Sequence, residues 1–197
     1  MTQAKLRFNT SEEYLAYDDG TDIPYELVNG VLVRMGAENP RNVAIAIFLI
    51  SVFLRLPIPH YLIHRGTEIA VSSSKITSRI PDLMILTEAG WAALMGTSRA
   101  IVTSTMPAPA LVVEVVSPRE PGSNNYDCDY IQKRCEYAER GILEYWLIDP
   151  GRNSVIVLQL DGTEYRESGR FQNDQSIVSP TFPTLELTAN QILQAGQ

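Results

Sequence analysis

Histidine, tryptophan and cysteine are scarce in this chain, with two of each. Two cysteines fall short of the four ligands of a structural zinc site. Cys128 and Cys135 also match no redox spacing, so reduced thiols in a cytoplasmic protein are expected. Long apolar runs are missing as well. The run from Val43 to Leu56 is short for a bilayer and is interrupted by Ser51 and Arg55, which makes it a core helix. The first residues, MTQAKLRFNTSEEY, lack the apolar centre of a signal peptide. Basic charge is in deficit: Lys and Arg number 16 against 23 Asp and Glu, a net charge of −7. That argues against an overall basic face for nucleic acid. A local patch or a bound metal ion can still work against the total. With 45% hydrophobic and 20% charged residues the composition is that of an ordinary globular protein. No repeat and no long linker interrupts the 197 residues, so one domain spanning 1–197 is expected.

The stretch from Ala110 to Pro150 organises the rest. It reads as an apolar strand (ALVVEVVSP), a polar loop, a helix (DYIQKRCEYAERG) and a second strand (LEYWLIDP). Ala110–Val116 is apolar almost throughout, as a strand covered on both faces should be. Glu114 interrupts it, and a carboxylate there is costly unless a metal ion, Lys or Arg meets it. Upstream, Asp82 follows Pro81 and opens another short apolar strand in RIPDLMIL. A strand–helix–strand unit closes as a right-handed crossover, so Ala110–Val116 and Glu144–Ile148 are expected to be parallel neighbours.

Around this unit, Thr10-Ser11-Glu12-Glu13 reads as a capping box and Asn29-Gly30 as a tight hairpin turn inside PYELVNGVLVRM. A helix follows from Pro40 to about Leu56, then strands at Tyr61–His64 and Glu68–Val71. The Ser-rich SSSKITS reads as loop, Thr87–Met95 as a short helix, and residues 96–109 as a mobile excursion. Pro150-Gly151 and Asp161-Gly162 turn the chain through a C-terminal β-meander, and the tail ends in a strand and one helical turn. The fold class is therefore α/β (α+β).

On the late helix, Ile131, Cys135 and Ala138 fall on one stripe beside Tyr130 and Tyr137, which makes that stripe the expected buried face. Gln132, Glu136 and Glu139 then face solvent, and Lys133 sits at the edge, able to send its ammonium inward. Arg134 also points toward the buried side, and spacing does not choose between the two cations. Asp82 and Glu114 on adjacent strands make a small acidic site of the kind magnesium occupies with waters and a phosphate. Phosphodiester hydrolysis needs that arrangement, with a lysine to position the nucleophile. A buried Asp–Lys–Glu network serving structure alone is the plain alternative.

At these residues the chain resembles a known family. Pro81-Asp82 followed by Glu114-Val115-Val116 resembles the PD-(D/E)xK nuclease motif. The wider series YELVNGVLVRM, RIPDLMIL, LVVEVVSP and DYIQKRCEYAERGILEYWLIDP resembles the Uma-two family of putative restriction endonucleases, over about Tyr25 to Pro150. The resemblance implies a restriction-endonuclease-like fold, with a central mixed β-sheet flanked by helices and an N-terminal hairpin. It implies magnesium or manganese held by Asp82 and Glu114, with Val115 among the ligands and Glu26 as a further acid. It also implies DNA as substrate and, since double-strand cleavage by a one-site nuclease needs two copies, a homodimer. Two departures stand out. The third signature position, where lysine is expected, is Val116, which implies that the lysine has migrated to the helix as Lys133. A histidine expected near the start of the long helix is replaced by Asn42.

Three functions remain open on the sequence: a metal-dependent DNA phosphodiesterase, a catalytically inactive relative serving as an interaction or nucleic-acid-binding module, and an enzyme acting on a small phosphate ester. His60 and His64 read as satisfied or surface residues, Trp146 as core, and Glu144 and Asp149 as structural groups at strand ends, with Glu144 able to orient Lys133 or Arg140. Arg34, Lys75, Arg79 and Arg119 read as surface cations or as the rim of a phosphate cleft.

Overall fold

The computed structural model describes residues 6–21, 23–71, 76–117 and 128–195. Its first hairpin joins β1 (Tyr25–Val28) and β2 (Val31–Arg34). Asn29 and Gly30 turn it with φ of 52° and 77°, the paired left-handed conformation that a two-residue turn requires. A Cβ at Gly30 would strike the carbonyl oxygen of Phe8, so only glycine fits.

Helix α1 (Ser11–Leu15) precedes this hairpin, capped by the Thr10 side chain on the amide of Glu13. Helix α2 (Pro40–Phe53) follows it, with Asn39 as cap and Pro40 in the first turn. Then come β3 (Ile63–His64), β4 (Glu68–Val71), β5 (Thr77–Arg79), β6 (Leu83–Ile85), α3 (Glu88–Leu94), β7 (Ile101–Val102) and β8 (Leu111–Val115). A π-helical turn, Cys128–Gln132, runs directly into α4 (Lys133–Glu139). The chain closes with β9 (Glu144–Asp149), β10 (Ser154–Asp161), β11 (Glu164–Phe171) and α5 (Ala189–Leu193).

The larger sheet has six strands in the order β11-β10-β9-β8-β6-β3 and is mixed. Strands β8 and β9 pair in parallel, Glu114 opposite Leu147, while β9-β10-β11 form the expected antiparallel meander. Both faces of this sheet are covered. Tyr145 and Trp146 are neighbours in β9 and so point to opposite faces. Trp146 packs on Phe53 of α2, while Tyr145 packs on Tyr137 of α4. The result is a continuous core in which Leu111, Val112, Val113, Tyr145, Trp146 and Ile148 are all fully buried.

One central sheet was expected, and two are present. The second has five strands, β2-β1-β5-β4-β7, with β4 and β7 parallel. Two of its strands lie where the sequence reads as loop. β5 takes Thr77 and Ser78 from the Ser-rich stretch, and β7 falls within residues 96–109, whose Ile101 and Val102 are buried. Strands of three and two residues are too short to show a period, and polar Thr77, Ser78 and Arg79 are buried because each finds partners. No helix among the described residues is long and apolar enough to cross a membrane.

Candidate active site

The end of β8 is where the sequence-derived candidates meet. Pro81 has no amide hydrogen, and β6 begins only after Asp82. Leu83 stands opposite Val113, so extending that register by one residue sets Asp82 opposite Glu114. Asp82 is half-buried, and its Oδ2 accepts the Val115 amide at 2.7 Å. Its side chain thereby takes the place of the ladder partner that β6 no longer supplies.

Glu114 is 4% exposed. Two groups on α4 satisfy it: the Lys133 ammonium at 2.8 Å from Oε2, and the Tyr137 hydroxyl, donating to Oε1 at 2.6 Å. Lys133 and Tyr137 are four residues apart on one helix face, which lets both reach one carboxylate. Burial and the Glu114 charge push the Tyr137 pKa well above its ordinary value, so the hydroxyl stays a donor.

From the other face of the sheet, Asn42 in the first turn of α2 donates its Nδ2 to the Val115 carbonyl at 2.8 Å, with Ser117 Oγ at 3.4 Å. The Val116 amide goes to Ile148 in β9, so the Val115 amide and carbonyl turn to the opposite edge, where Asp82 lies. Asp82, Glu114, Val115 and Lys133 are therefore neighbours. Glu26, on β1, is one step removed. It accepts from Arg79 at 3.1 Å and from the Ile80 amide at 3.3 Å, and its charge is felt at the Tyr137 hydroxyl.

Several expectations change. The inner face of α4 is Lys133, Tyr137 and Ala138, whereas Ile131 and Cys135 are exposed. Apolar periodicity misleads here because the helix covers a carboxylate, which a polar face satisfies, and because the preceding π turn shifts the helical phase. Glu136 does not face solvent: its two oxygens receive Arg79 Nε at 2.8 Å and Nη2 at 2.9 Å. Arg79 is accordingly no surface or rim cation but is 1% exposed. Burial works against its charge, yet Glu136 and Glu26 outweigh that and raise its pKa. Arg134 donates to the Tyr165 carbonyl at 2.7 Å rather than to the acids. Nor does Glu144 orient Lys133 or Arg140. It is fully buried and takes hydrogen bonds from Trp146, Ser179 and the Thr181 amide, while Arg140 spends its donors on the carbonyls of Ala70, Thr103 and Met106. Asp149 binds Tyr130 and Arg152, and His64 binds Thr67 and the Tyr61 carbonyl. Arg34 is exposed, and Lys75 and Arg119 lie outside the described residues.

Tyr137 is the group that sequence reasoning placed only as packing. Its signal was the Lys133–Tyr137 spacing read together with a lone buried acid.

The donors gathered here are hard oxygens: two carboxylates, the Val115 carbonyl and the Asn42 amide that donates to it, whose buried Oδ1 has no hydrogen-bond partner among the described residues. Among the described residues no cluster of three or more His, Cys, Asp and Glu side chains is assembled. An ion at this site would thus rest on two carboxylates completed by main-chain and water oxygens, a set that suits magnesium.

Compared with known proteins, residues 11–190 match the model of a family described as Uma2, putative restriction endonuclease. Among solved structures the chain is similar to a putative nuclease belonging to DUF820 from Anabaena variabilis. The TM-score is 0.70 at 18% identity, over 94% of this chain and 98% of that one. At that identity the likeness is one of fold. No curated protein matches.

Proposed function

Because the chain belongs to the Uma2 family of putative restriction endonucleases, we propose that it is a metal-dependent endonuclease that hydrolyses DNA phosphodiester bonds. The observation that carries this reading is the 2.8 Å contact between Lys133 and Glu114, the residue opposite Asp82 in the extended register. Val116 occupies the strand position where a nuclease lysine is expected, and Lys133 supports the idea that the cation arrives from the helix instead.

In the reaction a water oxygen attacks phosphorus, the bond to the leaving nucleotide oxygen breaks, and the proton that the water gives up is balanced by the one that the leaving oxygen takes up. A magnesium or manganese ion held by Asp82, Glu114 and the Val115 carbonyl would supply the Lewis acid for the phosphate. The remaining work belongs to the side chains. Lys133 carries three donors, so contact with Glu114 is compatible with holding the attacking water and offsetting charge on a phosphate oxygen. Tyr137 fixes Glu114 from its other oxygen. Glu26 acts through Arg79, whose second partner, Glu136, lies on the helix that carries Lys133.

We read the protein as a homodimer of single-domain chains, since two opposed sites are needed to cut both strands; light scattering that returns a monomer at micromolar concentration would contradict this. The reading as a whole is tested on supercoiled plasmid with Mg²⁺ or Mn²⁺. Wild type should nick or linearise it, and Asp82→Ala should not. Wild type that binds plasmid but leaves it intact with both ions would favour the inactive binding module, whose support is Val116 and the net charge of −7.

A further inference from the structure

A buried amide at the start of α2 extends the site. Asn42 is 6% exposed, and its two polar atoms have unequal fates. Nδ2 donates to the Val115 carbonyl at 2.8 Å, whereas Oδ1 is buried with no hydrogen-bond partner among the described residues. Turning the amide over would set oxygen against the Val115 carbonyl, so the Nδ2 contact fixes which atom is left over. A buried acceptor without a donor is unfavourable, and native structures seldom retain one unless a water or ion completes it. The Val115 carbonyl accounts for the Asn42 nitrogen, but no contact among the described residues accounts for its oxygen. Leu49, Val52 and Phe53, further along the same helix, bury apolar groups.

The position identifies what completes it. Val115 is the residue whose amide is held by Asp82 and whose carbonyl is held by Asn42, so the Asn42 amide sits at the β8 edge that Asp82 also lines. We propose that Asn42 is part of the divalent-cation site, its Nδ2 orienting the Val115 carbonyl and its Oδ1 accepting a hydrogen bond from a water held there. This rests on the nuclease reading above in one respect only, that a divalent cation occupies the Asp82–Glu114 edge. Groups that hold the waters and ligands of a metal in place commonly change its affinity about tenfold or more when removed.

The test is a Mn²⁺ titration of the purified full chain, read by thermal shift and calorimetry, with the metal-free melting temperature recorded for each variant. Asn42→Ala should weaken Mn²⁺ binding about tenfold. Asn42→Asp keeps an oxygen, adds charge favourable to the cation and sits in the first helical turn, where an acid is tolerated. It should bind Mn²⁺ at least as tightly as wild type, although it too loses the amide donor. Unchanged affinity in Asn42→Ala would overturn the proposal, showing a purely structural amide. Equal weakening in both variants would overturn the role assigned to Oδ1, because the nitrogen alone would then matter. Wild type that does not respond to Mn²⁺ would overturn this inference together with the metal site. A responding wild type with an indifferent Asn42→Ala overturns this inference alone.

Discussion

Lys133 Nζ lies 2.8 Å from Glu114 Oε2, with side-chain exposures of only 10% and 6%. Such a pair is costly to break from one side, since the group left behind is a buried charge without its counter-ion. Lys133→Met should therefore destabilise the metal-free protein by about 3–5 kcal/mol. The double variant Lys133→Met/Glu114→Gln should recover most of that loss, because a neutral amide still accepts from Tyr137. Urea unfolding of wild type, Lys133→Met, Glu114→Gln and the double variant checks this, and additive losses would show that the pair is not coupled.

Arg79 makes a stronger demand on shape than on charge. Its fork meets both oxygens of Glu136 on α4 and one of Glu26 on β1, which fastens the lysine-bearing helix to the five-stranded sheet. Lysine offers a point charge and cannot reproduce that bidentate geometry. Arg79→Lys should lower the melting temperature, and Arg79→Met should lower it further, by roughly 3–5 kcal/mol of stability, as two partly buried carboxylates lose their cation. Thermal unfolding at neutral pH gives the order, and equal stability for Arg79→Lys and wild type would contradict it.

Acid stability should depend on Asp149. Burial pushes its carboxyl pKa upward, but hydrogen bonds from Tyr130 and Arg152 outweigh this and hold it below the ordinary value. A carboxyl whose folded pKa is depressed contributes stability above its unfolded value of about 3.9, and loses it as pH falls through the folded value. Asp149→Asn should thus be less stable than wild type at pH 7, and the gap should narrow below about pH 4. Equilibrium unfolding at pH 7 and pH 3 measures both ends. A gap that stays constant would mean that Asp149 does not carry this linkage.

Much of the larger sheet was legible because its signals are local. A carboxylate inside LVVEV, a proline before Asp82 and a strand–helix–strand order suffice to bring Asp82, Glu114 and α4 together. The face of α4 was not legible. Reading apolar spacing favoured Ile131 and Cys135, yet the inner face is set by Glu114 and Arg79, partners from distant strands that no window of sequence contains. The five-stranded sheet escaped for a similar reason. β5 is polar along its length, and its burial depends on Glu26, Glu136 and Glu68 receiving Arg79 and Ser78. Asn42 was visible as a departure from a pattern, but that its oxygen has no partner among the described residues only became visible in three dimensions.

The most direct measurement is the single-turnover rate of DNA cleavage with saturating Mn²⁺ for wild type, Lys133→Ala, Lys133→Arg and Arg134→Ala. Lys133→Ala should lose at least about a hundredfold in rate while still binding Mn²⁺, since the carboxylates hold the ion and the ammonium acts on water and phosphate. Lys133→Arg should fail nearly as badly, because a planar guanidinium does not fit the place of a compact ammonium. Arg134→Ala, which loses only a bond to the Tyr165 carbonyl, should cleave at close to the wild-type rate wherever it remains folded. Metal-dependent cleavage by Lys133→Ala at the wild-type rate would contradict the assignment of Lys133 as the lysine of the site.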